Sequence, residues 1–434
     1  MFSSFTHMTR REWLAAGAGA ALAGALPAAR AQSVELSVFG HRVHQAAATT
    51  GAGGDVTAAW RESTKNAVSW VTLGDVNAIH ERLLREASLG STSIDLAYLL
   101  NGRAIPRNLA LFETLDALMK EAPIEDFADF APGLVAPLRS KAGLHGVPVR
   151  HAINTIIVNE ELFAERGVDP NFKTFEQMIE AMRKMTYKRT DGTQVVGMAF
   201  TPVFASNFLS LARCLGGDYM TSDKQIVAGE APMVQLLTML ADLHKAGAMP
   251  RNWATLNNEE ITTLMQQGRA AMTVNPYARL ASYNDPAKGK FAGKLKPVNP
   301  PVAAALAGKM PYASTVEFWS LVIPKNSRHK RVAWDLLRAM SSKSSTTSMA
   351  LNGNGPTRVS SYADPRLRAN NSFAKEEATA LAGSRIHLPA FDEQARVHDI
   401  FVEESQAAVL GMKEPRQAMN DATRRARPLV HLST

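Results

Sequence analysis

The stretch Val68-Ser69-Trp70-Val71-Thr72-Leu73-Gly74-Asp75-Val76-Asn77-Ala78-Ile79-His80-Glu81-Arg82-Leu83-Leu84-Arg85-Glu86-Ala87 decides the fold class. Its first six residues are mostly β-branched or aromatic and read as a strand. Asp75 then stands where a helix needs an acceptor for its unpaired first amides. Val76, Ile79, Leu83 and Ala87 recur at three- and four-residue spacing, one apolar face of that helix. Upstream, Val34, Leu36 and Val38 alternate with Glu35 and Ser37, a strand ending at Phe39-Gly40. The flexible loop Gly51-Ala52-Gly53-Gly54 follows, and Asp55 caps a helix carrying Val56, Ala59 and Trp60. Downstream, Ile94-Asp95-Leu96-Ala97-Tyr98 is a third strand. Strand, helix, strand, helix, strand is the order of an open parallel sheet with helices on its faces.

A second set follows. Gly146-Val147-Pro148-Val149 leads into a strand over 153–158, then a helix over 160–166 stopped by Gly167. Thr174 opens a helix reaching Met185 with a near capping box, Thr-Phe-Glu-Gln. Strands are expected over 195–200, 270–274 and 318–323, and helices over 233–246, 332–340, 392–410 and 415–427. The Pro- and Ala-rich 297–308 reads as a connection. Trp70 and Trp334 lie in periodic segments and are assigned to the core. A chain of 434 residues divides on size into about two domains.

The beginning of the chain bears on compartment. Thr9-Arg10-Arg11-Glu12-Trp13-Leu14 is a twin-arginine box, and the apolar run over 14–26 is too short to span a bilayer. Ala29-Arg30-Ala31 puts small residues at −3 and −1 of a cleavage site, so 1–31 is expected to be an export signal and Gln32 the start of a soluble periplasmic protein. Trp13 replaces the usual Phe, which leaves the ordinary secretory route open. Cys214 is the only cysteine, so no intramolecular disulfide is possible. The net charge is +8. Its one dense basic run, Arg424-Arg425-Ala426-Arg427, suits the last turn of a helix, and no aromatic or Gly-rich RNA-binding pattern accompanies it.

Local enzyme signatures are absent. There is no phosphate-loop motif, no second His at helical spacing from His80-Glu81, and no Gly-x-Ser-x-Gly elbow. Asn352-Gly353-Asn354-Gly355-Pro356 is a poor phosphate cradle, since Pro356 has no N–H to offer. Paired carboxylates leave no local signature, so a secreted polysaccharide hydrolase or lyase stays open.

Six short signatures occur in order. They are Gly146-Val147-Pro148 with Asn159-Glu160-Glu161-Leu162-Phe163-Ala164-Glu165-Arg166-Gly167-Val168-Asp169-Pro170; Leu215-Gly216-Gly217; Gln267-Gly268-Arg269-Ala270-Ala271-Met272; Ile323-Pro324-Lys325-Asn326-Ser327; Ala333-Trp334-Asp335-Leu336-Leu337; and Asn354-Gly355-Pro356-Thr357-Arg358. In this pattern the chain resembles the family 1 extracellular solute-binding proteins of ABC transporters over about 36–430. Val158 and Glu160 depart from the family's usual Tyr and Lys. The resemblance implies a type II periplasmic binding fold: two α/β lobes, each a mostly parallel sheet flanked by helices, with the ligand cleft between them. Lobe one is expected to hold 32–116 and 310–341, and lobe two 117–309 and 342–434. It implies a monomer without cofactor or metal that closes on a solute and delivers it to membrane permease subunits, or serves a membrane sensor with the same fold.

Ligand-facing residues are expected in loops after strands. His41, Arg42 and His44 follow the first strand, and Asn101 and Arg103 the third. The resemblance points to Arg150, His151 and Asn154 after Pro148, to Tyr277 as a stacking aromatic, to Glu317 and Trp319 (or Phe318) at a lobe crossing, and to Asn354 and Arg358. A sugar or polyol is the ligand class that the family implies. The cationic weight of His41, Arg42, His44, Arg103, Arg150, His151 and Arg358 tilts the expectation toward a sugar acid or phosphorylated polyol.

Overall fold

The computed structural model describes residues 33–431. The export signal and its cleavage site lie outside the described residues. The protein is a two-lobe α/β fold. Its eleven strands are β1 (Glu35–His41), β2 (Ala67–Leu73), β3 (Leu96–Leu100), β4 (Arg139–Ser140), β5 (Gly143–Leu144), β6 (Val147–Asn159), β7 (Tyr187–Lys188), β8 (Gln194–Met198), β9 (Ala270–Pro276), β10 (Leu295–Val298) and β11 (Val316–Val322). All but the small β4–β5 hairpin join in the order β2-β1-β3-β11-β6-β9-β8-β7, with β10 also on β6. The outer pairs β1–β2, β1–β3 and β8–β9 are parallel, and the central pairs with β11, β6 and β10 are antiparallel, where the chain recrosses.

The opening stretch forms as its pattern requires. Helices α1 (Arg42–Thr49) and α2 (Val76–Ala87) flank β2 in sequence. The Asp75 carboxylate accepts from the Ala78 N–H at 2.7 Å, and Ile79, Leu83 and Ala87 are buried. Trp334 is buried with its Nε1–H on the Ala122 carbonyl at 3.0 Å, whereas Trp70 is only half-buried. On the far side stand α3 (Ala205–Ala212), α4 (Asn258–Gln266), α5 (Gln394–Val409) and α6 (Pro415–His431). The basic run near the end of α6 is used internally: Arg425 pairs with Glu403 and Glu404, and Arg424 with Asp421.

Two further segments pack beside these elements. The stretch 113–145 meets the end of β11 through Glu113 N–H on the Ile323 carbonyl at 2.8 Å and closes on itself through Leu115 N–H on the Leu144 carbonyl at 2.7 Å and Leu144 N–H on Asp116 at 2.8 Å. Residues 343–358 pack against α1 and β6. Asn352 Nδ2 donates to the Ala47 and Gly54 carbonyls at 2.8 and 2.9 Å. Gly355 lies so close to β6 that a Cβ would meet the His151 carbonyl oxygen at 2.3 Å. The contacts of Asn352 and Gly355 join residues hundreds of positions apart, which no local pattern encodes.

Arg358 closes this assembly and stands apart from the ligand set in which the sequence placed it. It is fully buried. Its guanidinium donates to the Ser341, Asp126 and Glu125 carbonyls at 3.0, 2.9 and 2.8 Å and lies 4.2 Å from the Phe130 ring centroid. Replacing it leaves three carbonyls without donors and Asp129 without its ion pair. Arg358→Met is expected to lose about 3 kcal/mol in urea unfolding, against less than about 0.5 kcal/mol for exposed Arg42→Met. Unchanged stability with lost ligand binding would put Arg358 back in the site.

Candidate functional site

The thirteen-residue strand β6 connects the two lobes. Its residues 147–153 pair with β11, and 154–158 pair with β9. Side chains alternate across a strand, so Arg150, Ala152 and Asn154 share one face. On β11, Trp319 lies opposite Arg150 and Glu317 opposite Ala152, which puts Glu317 on that face between Arg150 and Asn154. This face floors a cleft of about 370 Å³. Its walls carry Val43 from α1 on one side and Phe204, Ser206, Asn207, Asn258, Asn275 and Arg279 on the other. Val43 is 42% exposed and Phe204 43%, a pair of bare apolar groups on opposite lips. A larger hollow of about 680 Å³ lies elsewhere, built wholly from residues 186–269 and touching neither crossing strand.

The two charges of the floor have no partners. Neither the Arg150 nor the Glu317 side chain makes a hydrogen bond or an ion pair to another described residue. Solvent reaches Glu317 through the cleft mouth, yet protein surrounds it closely enough that desolvation raises its pKa, against the pull of Arg150. Burial lowers the Arg150 pKa, opposed by Glu317 and Tyr98. Asn154 is fixed by its neighbours: Nδ2 donates to Asn207 Oδ1 at 3.1 Å and to Ser210 Oγ at 3.2 Å. Asn207 in turn donates to the Thr201 carbonyl at 2.9 Å.

Aromatic packing supports the floor. The His44 ring stacks on Tyr98 at 4.2 Å and meets Trp319 edge-on at 4.5 Å, and His80 stacks on the other side of Trp319 at 5.2 Å. Phe318 is fully buried, while Trp319 keeps a small exposure of 8%. Burial holds His80 down at about 4 and His44 well below its ordinary value, with the charge of Arg150 adding to the effect on His44. Both rings are therefore neutral at physiological pH.

The remaining sequence candidates do other work. His41 caps α1, with Nδ1 accepting from Val43 N–H at 3.1 Å and Nε2 2.8 Å from the Gly74 carbonyl. Arg42 is exposed. Arg103 donates to Asn77 at 3.1 Å. Asn101 accepts from Phe318 N–H at 3.0 Å and so ties β11 to the end of β3. His151 points to the opposite face, where it lies 2.8 Å from the Tyr362 hydroxyl, and burial takes its pKa down to about 3. Asn354 donates to the Val149 carbonyl at 2.7 Å. Tyr277 is buried, with its hydroxyl on Asn299 at 2.7 Å. The expected cationic cluster is thus reduced to Arg150, joined by Arg279, which pairs with Glu259 at 3.4 Å. The sequence reading missed Ser206, Asn207, Asn258 and Asn275. All four belong to α3, α4 and the end of β9; only Asn258 stood beside a local signal, the Asn257–Glu260 capping box that opens α4.

A second cavity of about 360 Å³ shares Ala278 with the cleft and is lined by Tyr277, Asn354, Asn371 and Glu377 among others. Burial pushes Glu377 up to about 7, partly offset by the 3.0 Å bond from Asn371. An acid whose pKa is raised by folding stabilises the fold fully below its unfolded value and loses that contribution as pH rises through the folded one. Glu377→Gln should therefore gain stability over the parent between pH 5 and pH 8, by up to about 3 kcal/mol. Parallel urea titrations at the two pH values check this.

The bacterial extracellular solute-binding protein family matches residues 55–375, more than half of the chain. The probable amino-acid ABC transporter periplasmic-binding protein y4oP of Sinorhizobium fredii is 25% identical over 421 residues, covering 93% of this chain and 92% of that one. Among solved structures, maltose-bound MalE3 of T. maritima superposes with a TM-score of 0.75 at 19% identity, covering 92% of this chain and 100% of that one. A solute-binding protein of Agrobacterium vitis with bound D-mannitol does so with a TM-score of 0.72 at 17% identity, covering 92% and 99%.

Proposed function

Because the chain belongs to the bacterial extracellular solute-binding proteins, we propose that it is the periplasmic substrate-binding component of an ABC importer. It captures a polar, polyhydroxylated small molecule of no net charge between its lobes and delivers it to the permease. The observation that carries this reading is the partnerless Arg150 and Glu317 on a floor shared by both lobes. Desolvating such groups is costly unless something pairs with them. Arg150 and Arg279 face Glu317 and Glu259, so the cleft is balanced and a net anion would leave it charged on closing. This departs from the sequence expectation of an anionic ligand. The mannitol and maltose held by the structural relatives are of the neutral polyhydroxylated kind.

The lobe boundaries follow the crossings: 33–153 and 315–384 form one lobe, and 154–314 with 385–431 the other. The third crossing lies beside the second, with Val316 N–H on the Arg385 carbonyl at 3.0 Å and Arg385 N–H on the Ser314 carbonyl at 2.8 Å. Export by the twin-arginine route, cleavage after Ala31 and a monomeric state complete the reading. Glu317 is the one carboxylate lining the cleft cavity among the described residues. A hydrolase would use two, so a binding role is favoured.

Thermal-shift screening of the mature protein, stripped of ligand by unfolding and refolding, tests the proposal against sugars, polyols, sugar acids, phosphate esters and amino acids. A ligand at a hundred times its Kd should add about 2.7 kcal/mol. Arg150→Met and Glu317→Gln should each cut that gain to about half or less while leaving the far-UV circular dichroism unchanged. Equal stabilisation of both variants and the parent, or turnover of the hit, would defeat the reading.

A further inference from the structure

The floor of the cleft separates its hydrogen-bonding groups by kind. At one end stand Arg150 and, opposite it on β11, Trp319. The guanidinium offers only donors, and so does an indole N–H. Neither group has a hydrogen-bond partner among the described residues. At the other end stand Glu317 and Asn154. The ionised carboxylate offers only acceptors. Both Asn154 Nδ2 hydrogens are directed at protein acceptors, Asn207 Oδ1 at 3.1 Å and Ser210 Oγ at 3.2 Å, so what this amide has left is its Oδ1 acceptor. Arg150 and Glu317 occupy diagonal positions on neighbouring strands, about 7–8 Å apart at Cα, and do not approach within 4.0 Å N···O of each other.

We propose that the solute carries both an anionic and an ammonium group, with the anion on Arg150 and Trp319 and the ammonium on Glu317 and Asn154. This rests on the reading of the cleft as the solute site. A carboxylate is acceptor-only and an ammonium donor-only, so a zwitterion matches each end completely. A hydroxyl both donates and accepts, and at either end of this floor half of that capacity goes unused. Charge-assisted hydrogen bonds are also about twice as strong as neutral ones. A zwitterion pairs both charges and leaves the closed cleft neutral. A sugar acid or an amino sugar pairs one charge and strands the other. Aminated sugar acids are the chemical class that fits both this charge pattern and a polyhydroxylated solute.

Calorimetric titration of the stripped mature protein with four matched probes tests this: D-glucosaminate (zwitterion), D-gluconate (anion), D-glucosamine (cation) and D-glucitol (neutral), with L-glutamine as a second zwitterion. At least one zwitterion should bind tenfold or more tightly than each of the other three. In Glu317→Gln the advantage over gluconate should shrink to within about threefold, and in Arg150→Met the advantage over glucosamine should do the same. Glucitol, gluconate or another solute lacking one of the charges binding as tightly as the best zwitterion would overturn the proposal and leave solute capture standing. Binding by none of the probes, with no stabilisation across the wider panel, would overturn both.

Discussion

The backbone hydrogen bonds of β6 are shared between two lobes. From Val147 to Ile153 they go to β11, and from Asn154 to Val158 to β9. One continuous strand therefore positions Arg150 for the first lobe and Asn154 for the second, four residues apart on the same face. Movement of one lobe against the other bends this strand and its neighbours without removing those side chains from the floor. The wall groups Val43 and Phe204 stand on elements outside the crossing strands. The floor supplies fixed charge, and the lips supply apolar surface that closing can cover.

The rigidity of that floor comes from beneath it. His44, Tyr98, Trp319 and His80 form one packed aromatic cluster, and Asn101 ties the β11 backbone to the end of β3. Neutral imidazoles suit this role, since a protonated ring beside Arg150 would add a like charge in a site of low dielectric. The depressed His44 and His80 are thus consequences of packing. Counting His and Arg residues overstated the positive charge of the cleft because, of those counted, only Arg150 lines it.

Much of the architecture was legible because its signals are local. Asp75, Thr174 and Gly167 act through neighbours in sequence, and the helices and strands they delimit appear within a few residues of expectation. The first half of β6 was missed for a reason that matters. Pro148, Arg150 and His151 interrupt the apolar pattern of a core strand, because one face of that segment serves the cleft. Helix α3 was missed because it is buried nearly all round and starts at Phe204 without a side-chain cap. Of the candidate residues, Arg150, Asn154 and Glu317 converge because strand alternation carries them to one face. Arg358 could not be placed from sequence, since the carbonyls it satisfies belong to residues 125, 126 and 341.

The unpaired charges bear on more than recognition. Closing the empty cleft would strip water from an arginine and a glutamate that have no protein partner, at several kcal/mol per ion after relaxation. That cost would oppose closure of the empty cleft. A solute that pairs both groups would remove the cost, and closure would then cover Val43 and Phe204 as well. Ligand and lobe position would thereby be linked in the required sense, through a higher affinity of the ligand for the closed state. Pairing Arg150 directly with Glu317 would weaken that linkage, since a self-neutralised floor could close without a solute. Their separation across two strands makes closure depend on a bound molecule, which an importer requires of the component that must distinguish loaded from empty.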